Sequence, residues 1–167
     1  MANNNEIQVL SNDIHTITAE INAYQRVAGE AIFEIGRRLK HVKENDLVHG
    51  EYEDWVRDKA KISPSQARMF VKVSEEFGEN RCTYNELGLR ALYEIATLPE
   101  SERNQSHTTA KGEQKKPEDM TVRELRDLKR QINAERRERE RLEVELANKI
   151  KIFAIYSNFW RPHYTNI

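Results

Sequence analysis

The sequence predicts an all-α protein, with a long N-terminal helix, a central helix-turn-helix-like helical domain, and a C-terminal long helix or coiled coil. Composition is the first observation: charged residues make up 33% of the chain and apolar residues 38%, with only six glycines and four prolines. A second is the three-four spacing of apolar residues near both ends of the chain. The third is a short helix, a turn and a polar-faced helix at its centre.

The N-terminal segment has the apolar periodicity of one long helix. Residues 1–28 form its N-terminal half, and its second half begins a helix-turn-helix-like domain that spans residues 29–99. Ser11 or Asn12 is expected to cap the helix, which should end near Glu44. A four-three spacing runs over more than four heptads: Leu10, Ile14, Ile17, Ile21, Tyr24, Ala28, Ala31, Ile35, and Leu39 or Val42. Such a seam packs on another helix, either of the same chain or of a partner.

The central segment, Gly50–Phe77, has the pattern of two helices joined by a turn. Ser63 is a good N-cap residue, and Pro64 suits the first turn of the second helix. The buried face of that helix is expected to contain Ala67, Phe70, Val71, Ser74 and Phe77. Ser65, Gln66, Arg68, Met69 and Lys72 lie on or beside the opposite face. A further helix, roughly Gly88–Thr97, is stopped by Pro99.

The C-terminal part begins with a polar stretch, residues 100–119, which predicts a linker because it has no apolar periodicity. Within it a small hairpin could close at Lys111–Gly112. Residues 120–153 predict a charged long helix or coiled coil that starts at Thr121 with a capping-box spacing to Glu124. Its seam consists of Val122, Leu125, Leu128, Ile132, Leu142, Leu146, and Ile150 or Phe153. Residues 154–167 form an aromatic tail to which the sequence assigns no role.

Motif content argues against an enzyme, a cofactor and a metal site. The five histidines are scattered, and the sequence has no HExxH, no CxxC and no acidic cluster at metal-ligand spacing. Cys82 is the single cysteine, and the glycines form no phosphate-binding loop. No signal peptide and no apolar run of about 20 residues is visible. We therefore expect a cytoplasmic protein that does not enter a membrane.

Five segments follow one another in a characteristic order: ITAEINAY, IFEIGRRLKHVKENDLVHGEYEDWV, SPSQARMFVKVSEEF, LGLRALYEIATLPE and PEDMTVRELRDLKRQ. This series resembles a family of small, mostly uncharacterised proteins from bacterial phages and conjugative elements, over about Leu10–Gln131. The resemblance implies a mostly helical protein with a helix-turn-helix-like centre, encoded by mobile DNA and acting in the cytoplasm of a bacterial host. The central segments are also similar, more weakly, to the helix-turn-helix of plasmid-partition (ParB/KorB-type) proteins.

The turn departs from the commonest helix-turn-helix pattern at two positions. Lys61 stands where a turn glycine is usual, and Arg57 stands where a small alanine is usual. The turn is therefore expected to be longer, or the two helices to cross differently.

Local chemistry at the centre predicts contact with double-stranded DNA. The net charge of −1 gives no overall attraction to DNA, but residues 36–72 hold nine Lys/Arg and six Asp/Glu. Gln66 can pair with adenine, and Arg68 with guanine or a phosphate. Met69 either contacts a thymine methyl group or completes the edge of the core. The candidate DNA-binding residues are Ser63, Ser65, Gln66, Arg68, Met69, Lys72, Lys59 and Lys61.

Two functions follow from these patterns. The first is a DNA-binding protein of a phage or mobile genetic element, acting in regulation, replication or partition, which forms a homodimer through its helical seams. The alternative is a coiled-coil adaptor or antirepressor, which uses the seams Leu10–Val42 and Leu125–Leu146 to hold a host or phage protein without direct DNA binding.

Overall fold

The computed structural model describes residues 10–45, 50–78, 84 and 86–159. It is mostly helical, as predicted, with a long helix at each end. The helices are α1 (Ile14–Asn45), α2 (Glu51–Asp58), α3 (Pro64–Phe77), α4 (Leu89–Ala96), α5 (Glu100–Arg103) and α6 (Val122–Phe159). Two short antiparallel strands, β1 (His107–Thr108) and β2 (Gln114–Lys115), precede a 3-10 turn at Pro117–Asp119. The chain divides into two compact units, Met1–Leu125 and Arg126–Ile167, with the boundary inside α6.

The first turn of α1 is capped by Asp13, not by Ser11 or Asn12 as predicted. The Asp13 carboxylate accepts the backbone N–H groups of His15 and Thr16, each at 3.2 Å, and so satisfies two donors that the helix leaves unpaired. The Ser11 hydroxyl instead accepts the Asp13 N–H at 3.1 Å. The end of α1 at Asn45 agrees with the predicted end near Glu44.

The buried stripe of α1 differs in phase from the heptad seam. It contains Gly29, Phe33, Gly36 and Leu39; Leu39 is buried as the seam predicts, whereas Ala28 and Ala31 of the seam are exposed. The cause is the close packing of α1 on α3. A Cβ atom on Gly36 would overlap the carbonyl oxygen of Phe70 and lie 2.6 Å from Ser74 Cβ. Apolar periodicity could not reveal this contact, because the residue that permits it has no side chain.

Helices α2 and α3 are joined by the five residues Lys59–Ser63, a longer connection than the three or four residues common in helix-turn-helix motifs. Lys61 has a left-handed backbone, with φ of +57°, at the place where the usual pattern has glycine. The Ile62 N–H donates to the carbonyl of Val56 at 3.1 Å and fixes the turn. Ser63 caps α3 as predicted, because its hydroxyl accepts the Gln66 N–H at 3.2 Å.

The core of the first unit is built around α3. Ala67, Phe70 and Val71 are buried as predicted, and they form a cluster with Leu39 and Val56. Side chains that pack against this cluster are Ile32, Ile35, Tyr52, Trp55, Ile62 and Leu89.

A second side of α3 is also buried. Val73, which the predicted face omits, is fully buried, whereas Ser74 is only half-buried. Phe77 packs against Tyr84 with ring centroids 4.5 Å apart. Helix α4 supplies the buried residues Leu92 and Ile95. α3 is therefore a central helix whose polar surface is narrow.

The stretch predicted as a linker, residues 100–119, has structure of its own. It contains α5, the β1–β2 hairpin and the 3-10 turn, and Thr109 and Pro117 are buried. The predicted hairpin at Lys111–Gly112 is confirmed, with Gly112 at φ of +83°. The first compact unit extends through Leu125, beyond the boundary that the sequence predicts. Polar residues order this stretch through local hydrogen bonds, which leave no apolar periodicity.

Helix α6 begins with the predicted capping box. The Glu124 carboxylate accepts the Thr121 N–H at 2.8 Å, and the Thr121 hydroxyl accepts the Glu124 N–H at 3.3 Å. The helix continues to Phe159, so residues 154–159 of the predicted tail are helical. Residues 160–167 of that tail lie outside the described part of the chain.

Candidate nucleic-acid interface

The first turns of α3 present the polar side chains that the sequence selects. Ser63, Ser65, Gln66 and Arg68 are all exposed. The Ser63 hydroxyl is occupied by capping, and Arg68 Nε donates to the Pro64 carbonyl at 3.3 Å. The side chains of Ser65 and Gln66 make no hydrogen bond within the described chain. The hydroxyl of Ser65 and the amide of Gln66 can therefore form hydrogen bonds with an external ligand.

A groove of about 600 Å³ lies beside these turns, within the first compact unit. One wall comes from the start of α3 and the other from the start of α4. The lining residues are Ser63, Ser65, Gln66, Met69, Gly88, Leu89, Arg90, Ala91 and Val122. This set includes a cation and no carboxylate. The N-termini of α3, α4 and α6, which carry partial positive charge, therefore open onto one groove.

Cations around α3 fall into two groups. Lys59 and Lys61 are exposed and, like Arg68, form no ion pair within the described chain. Lys72 is different, because its ammonium donates to Glu76 at 2.6 Å. The first group is free to meet phosphates, whereas Lys72 already has an anionic partner.

Glu76 links Lys72 to a residue far along the chain. Its carboxylate also accepts Arg103 at 2.6 Å, and these two hydrogen bonds, that of Lys72 first, lower the pKa of Glu76. Arg103 donates to the carbonyls of Ala96 and Leu98, both at 3.0 Å, and its guanidinium lies 5.7 Å from the ring centroid of Phe77. We assign Lys72 to this structural network. The i, i+4 spacing of Lys72 and Glu76 is the sequence signal that favours the pair.

Met69 and Arg90 also line the groove. Met69 is half-buried and lines the groove together with Ser65 and Gln66, so it lies at the edge of the core. Arg90 is exposed on α4, at the opposite wall. No local sequence pattern indicates Arg90, because only the tertiary packing of α4 on α3 brings the two helix starts together.

Trp55 lies at a second groove, which is lined by both apolar and charged side chains. It packs against the core cluster and also lines a groove of about 530 Å³ with Arg37, Arg38, His41 and Val42. Arg37 and Arg38 both pair with Glu34. The half-buried Trp55 ring therefore contributes to the core and also lines this groove.

Metal-ligating residues do not converge in the described ranges: no three His, Cys, Asp or Glu side chains there come close enough to hold an ion. Cys82, Asp46 and His49 lie outside those ranges. None of the described helices is long and apolar enough to span a bilayer.

A family model described as "Protein of unknown function (DUF3102)" matches residues 8–132. No curated protein matches the chain, and no solved structure does so. The match covers α1 to α5 and the start of α6, including the groove between α3 and α4.

Proposed function

This chain belongs to the family of unknown function DUF3102, and we propose that it is a DNA-binding protein that contacts duplex DNA with the exposed first turns of α3. We further propose that it derives from a phage or another mobile genetic element. Its role there is in regulation, replication or partition.

One observation carries the proposal: the exposed side chains of Ser65 and Gln66 border a groove whose described lining contains no carboxylate, and Arg68 is exposed on the same helix. Each of these side chains suits a different part of duplex DNA. A glutamine amide matches the donor–acceptor pair of adenine, and an arginine matches guanine or a phosphate. The serine hydroxyl can bind a phosphate oxygen. Lys59 and Lys61, at the turn before α3, add cations for the sugar–phosphate backbone.

Two copies of α3 would bind DNA more tightly than one, since the second contact becomes intramolecular. Large apolar side chains are exposed on the first half of α1, among them Ile14 at 68% and Tyr24 at 71% of their possible surface. Exposed apolar faces of this kind are typical of helices that associate. They support a homodimer as the DNA-binding form.

The reading face is tested by the double variant Gln66→Ala/Arg68→Ala. Each lost base contact costs on the order of 1–3 kcal/mol, so we expect affinity for a preferred duplex to fall by at least ten-fold. Fluorescence anisotropy with fragments selected from genomic DNA measures the change. Circular dichroism establishes that the variant is folded.

A matched control is Gln25→Ala/Arg26→Ala, which removes the same two residue types from an exposed part of α1. Its DNA affinity should remain within about two-fold of the parent protein, because neither residue borders the groove. If a folded Gln66→Ala/Arg68→Ala variant binds DNA as tightly as the parent chain, α3 does not contact DNA as proposed.

Protein binding is the second candidate, and a specific observation favours it. The second compact unit exposes Leu142, Leu146, Ile150 and Phe153, by 52–75%. These are the seam positions predicted in α6. An adaptor that uses this face to hold a host or phage protein would need no DNA contact from α3. The Gln66→Ala/Arg68→Ala variant would then bind that protein with unchanged affinity.

A further inference from the structure

We infer that Arg90 is a further DNA-contacting residue, which binds a backbone phosphate from the wall of the groove opposite Gln66. This inference rests on the proposed function. It assigns to α4 a part in DNA binding that the sequence pattern of a helix-turn-helix does not include.

Arg90 is in the first turn of α4 and lines the same groove as Ser65 and Gln66 of α3. The groove is about 600 Å³ in volume. A duplex whose bases met Gln66 would therefore bring its sugar–phosphate backbone close to the wall that carries Arg90.

Arg90 has no anionic partner within the described chain, unlike most arginines of the neighbouring helices. Most of the arginines on α1 and α2 have a carboxylate partner: Arg37 and Arg38 pair with Glu34, and Arg57 with Asp54. Arg90 is exposed and forms no ion pair or hydrogen bond within the described chain. Its guanidinium, with five donors in a planar fork, is suited to bidentate binding of a phosphate.

Arg90 occupies an electrostatically unfavourable position within its helix. A cation in the first turn meets the partial positive charge of the helix N-terminus, which is unfavourable for the folded chain. No acidic residue in the first turn of α4 offsets it, and the N-cap Gly88 offers no side chain. α2, in contrast, has Glu51, Glu53 and Asp54 in its first turn. An external anion bound by Arg90 would offset this repulsion, which no acidic residue in the first turn of α4 offsets.

The test is the salt dependence of binding of the full chain to a fluorescent pool of random-sequence duplex DNA. Each phosphate contact contributes about 0.9 to the slope of log K against log salt concentration. We expect Arg90→Ala to reduce the magnitude of that slope by about one and to weaken binding at low salt. Arg90→Lys should restore most of the slope, because a lysine ammonium still releases a counterion.

Lys111→Ala is the matched control, because it removes one positive charge from the exposed hairpin turn and not from the groove. Its slope should equal that of the parent chain. If Arg90→Ala keeps the parent slope while Gln66→Ala/Arg68→Ala loses affinity, the assignment of Arg90 is wrong and the proposed function stands. If the parent chain itself does not bind the pool, the proposed function and this inference fail together.

Discussion

At the scale of single residues, Gly36 sets the distance between α1 and α3. The two helices approach so closely there that a side chain would meet the backbone of Phe70. Its neighbours in the buried stripe, Phe33 and Leu39, are almost completely buried on either side. The position of α3 therefore depends on glycine at residue 36. The same holds for the exposed turns of α3 that carry Gln66.

Gly36→Ala should lower the free energy of unfolding by about 1–3 kcal/mol, because the added methyl group forces α1 and α3 apart in a well-packed core. Urea unfolding followed by circular dichroism measures the loss. Gly88→Ala is the control, since a Cβ atom there would meet nothing within 4 Å and its φ of −72° suits any residue. Equal stability of the two variants would show that the close approach at Gly36 does not limit packing.

Residue-level predictions from the sequence succeed where the chemistry is local. Ser63 and Pro64 predict the start of α3, and Thr121 with Glu124 predicts the start of α6, because a cap acts within one helical turn. The left-handed backbone of Lys61 is also a local effect, and it explains the unusual turn between α2 and α3. The ion pair of Glu76 with Arg103 joins residues 27 positions apart, and no local pattern could indicate it.

At the scale of elements, the start of α6 depends on one carboxylate. The pKa of Glu124 is lowered to about 2, first because the carboxylate accepts the backbone N–H and the hydroxyl of Thr121, and then because it accepts the Lys115 ammonium. Lys115 lies on β2, so this contact ties the hairpin to the helix. The first compact unit ends shortly afterwards, at Leu125.

The pH dependence follows from the direction of this shift. Because the folded-state pKa of Glu124 lies below its usual value of 4.5, the folded chain favours the ionised form. Its stabilising contribution is complete above about pH 4.5 and is lost as the pH falls toward about 2. We therefore expect Glu124→Gln to be less stable than the parent chain at pH 7, with a difference that shrinks as the solution is acidified.

Urea unfolding at pH 7 and at about pH 3 measures that difference. The control is Glu143→Gln, which changes an exposed glutamate later in α6 and should alter stability little at either pH. A difference between Glu124→Gln and the parent chain that did not depend on pH would contradict the stabilisation of the Glu124 carboxylate by Thr121 and Lys115.

Element boundaries and packing partners differ in how well the sequence predicts them. The start of α3 and the bounds of α4 agree with prediction within a few residues, because glycine, proline and capping residues mark them. The phase of the buried stripe in α1 and the second buried side of α3 at Val73 were not predicted. Both depend on which helices meet, and heptad spacing carries no information about a crossing at glycine.

At the scale of the whole molecule, polar and apolar surfaces suggest separate tasks. The groove between α3 and α4, whose described lining contains no carboxylate, suits an anionic polymer. The exposed apolar positions of α1 and α6 suit helix association. The sequence predicted the exposed residues of α3 but not the opposite wall at Arg90. With a net charge of −1, any attraction to DNA must come from this local surface.

The most direct measurement is therefore the equilibrium binding of the full chain to duplex DNA across a salt series. We expect the binding constant to fall steeply as salt concentration rises, with a log–log slope that corresponds to several phosphate contacts per bound protein. A binding constant that does not change with salt, or a chain that retains no DNA at low salt, would contradict DNA binding by the groove and would favour the protein-binding alternative.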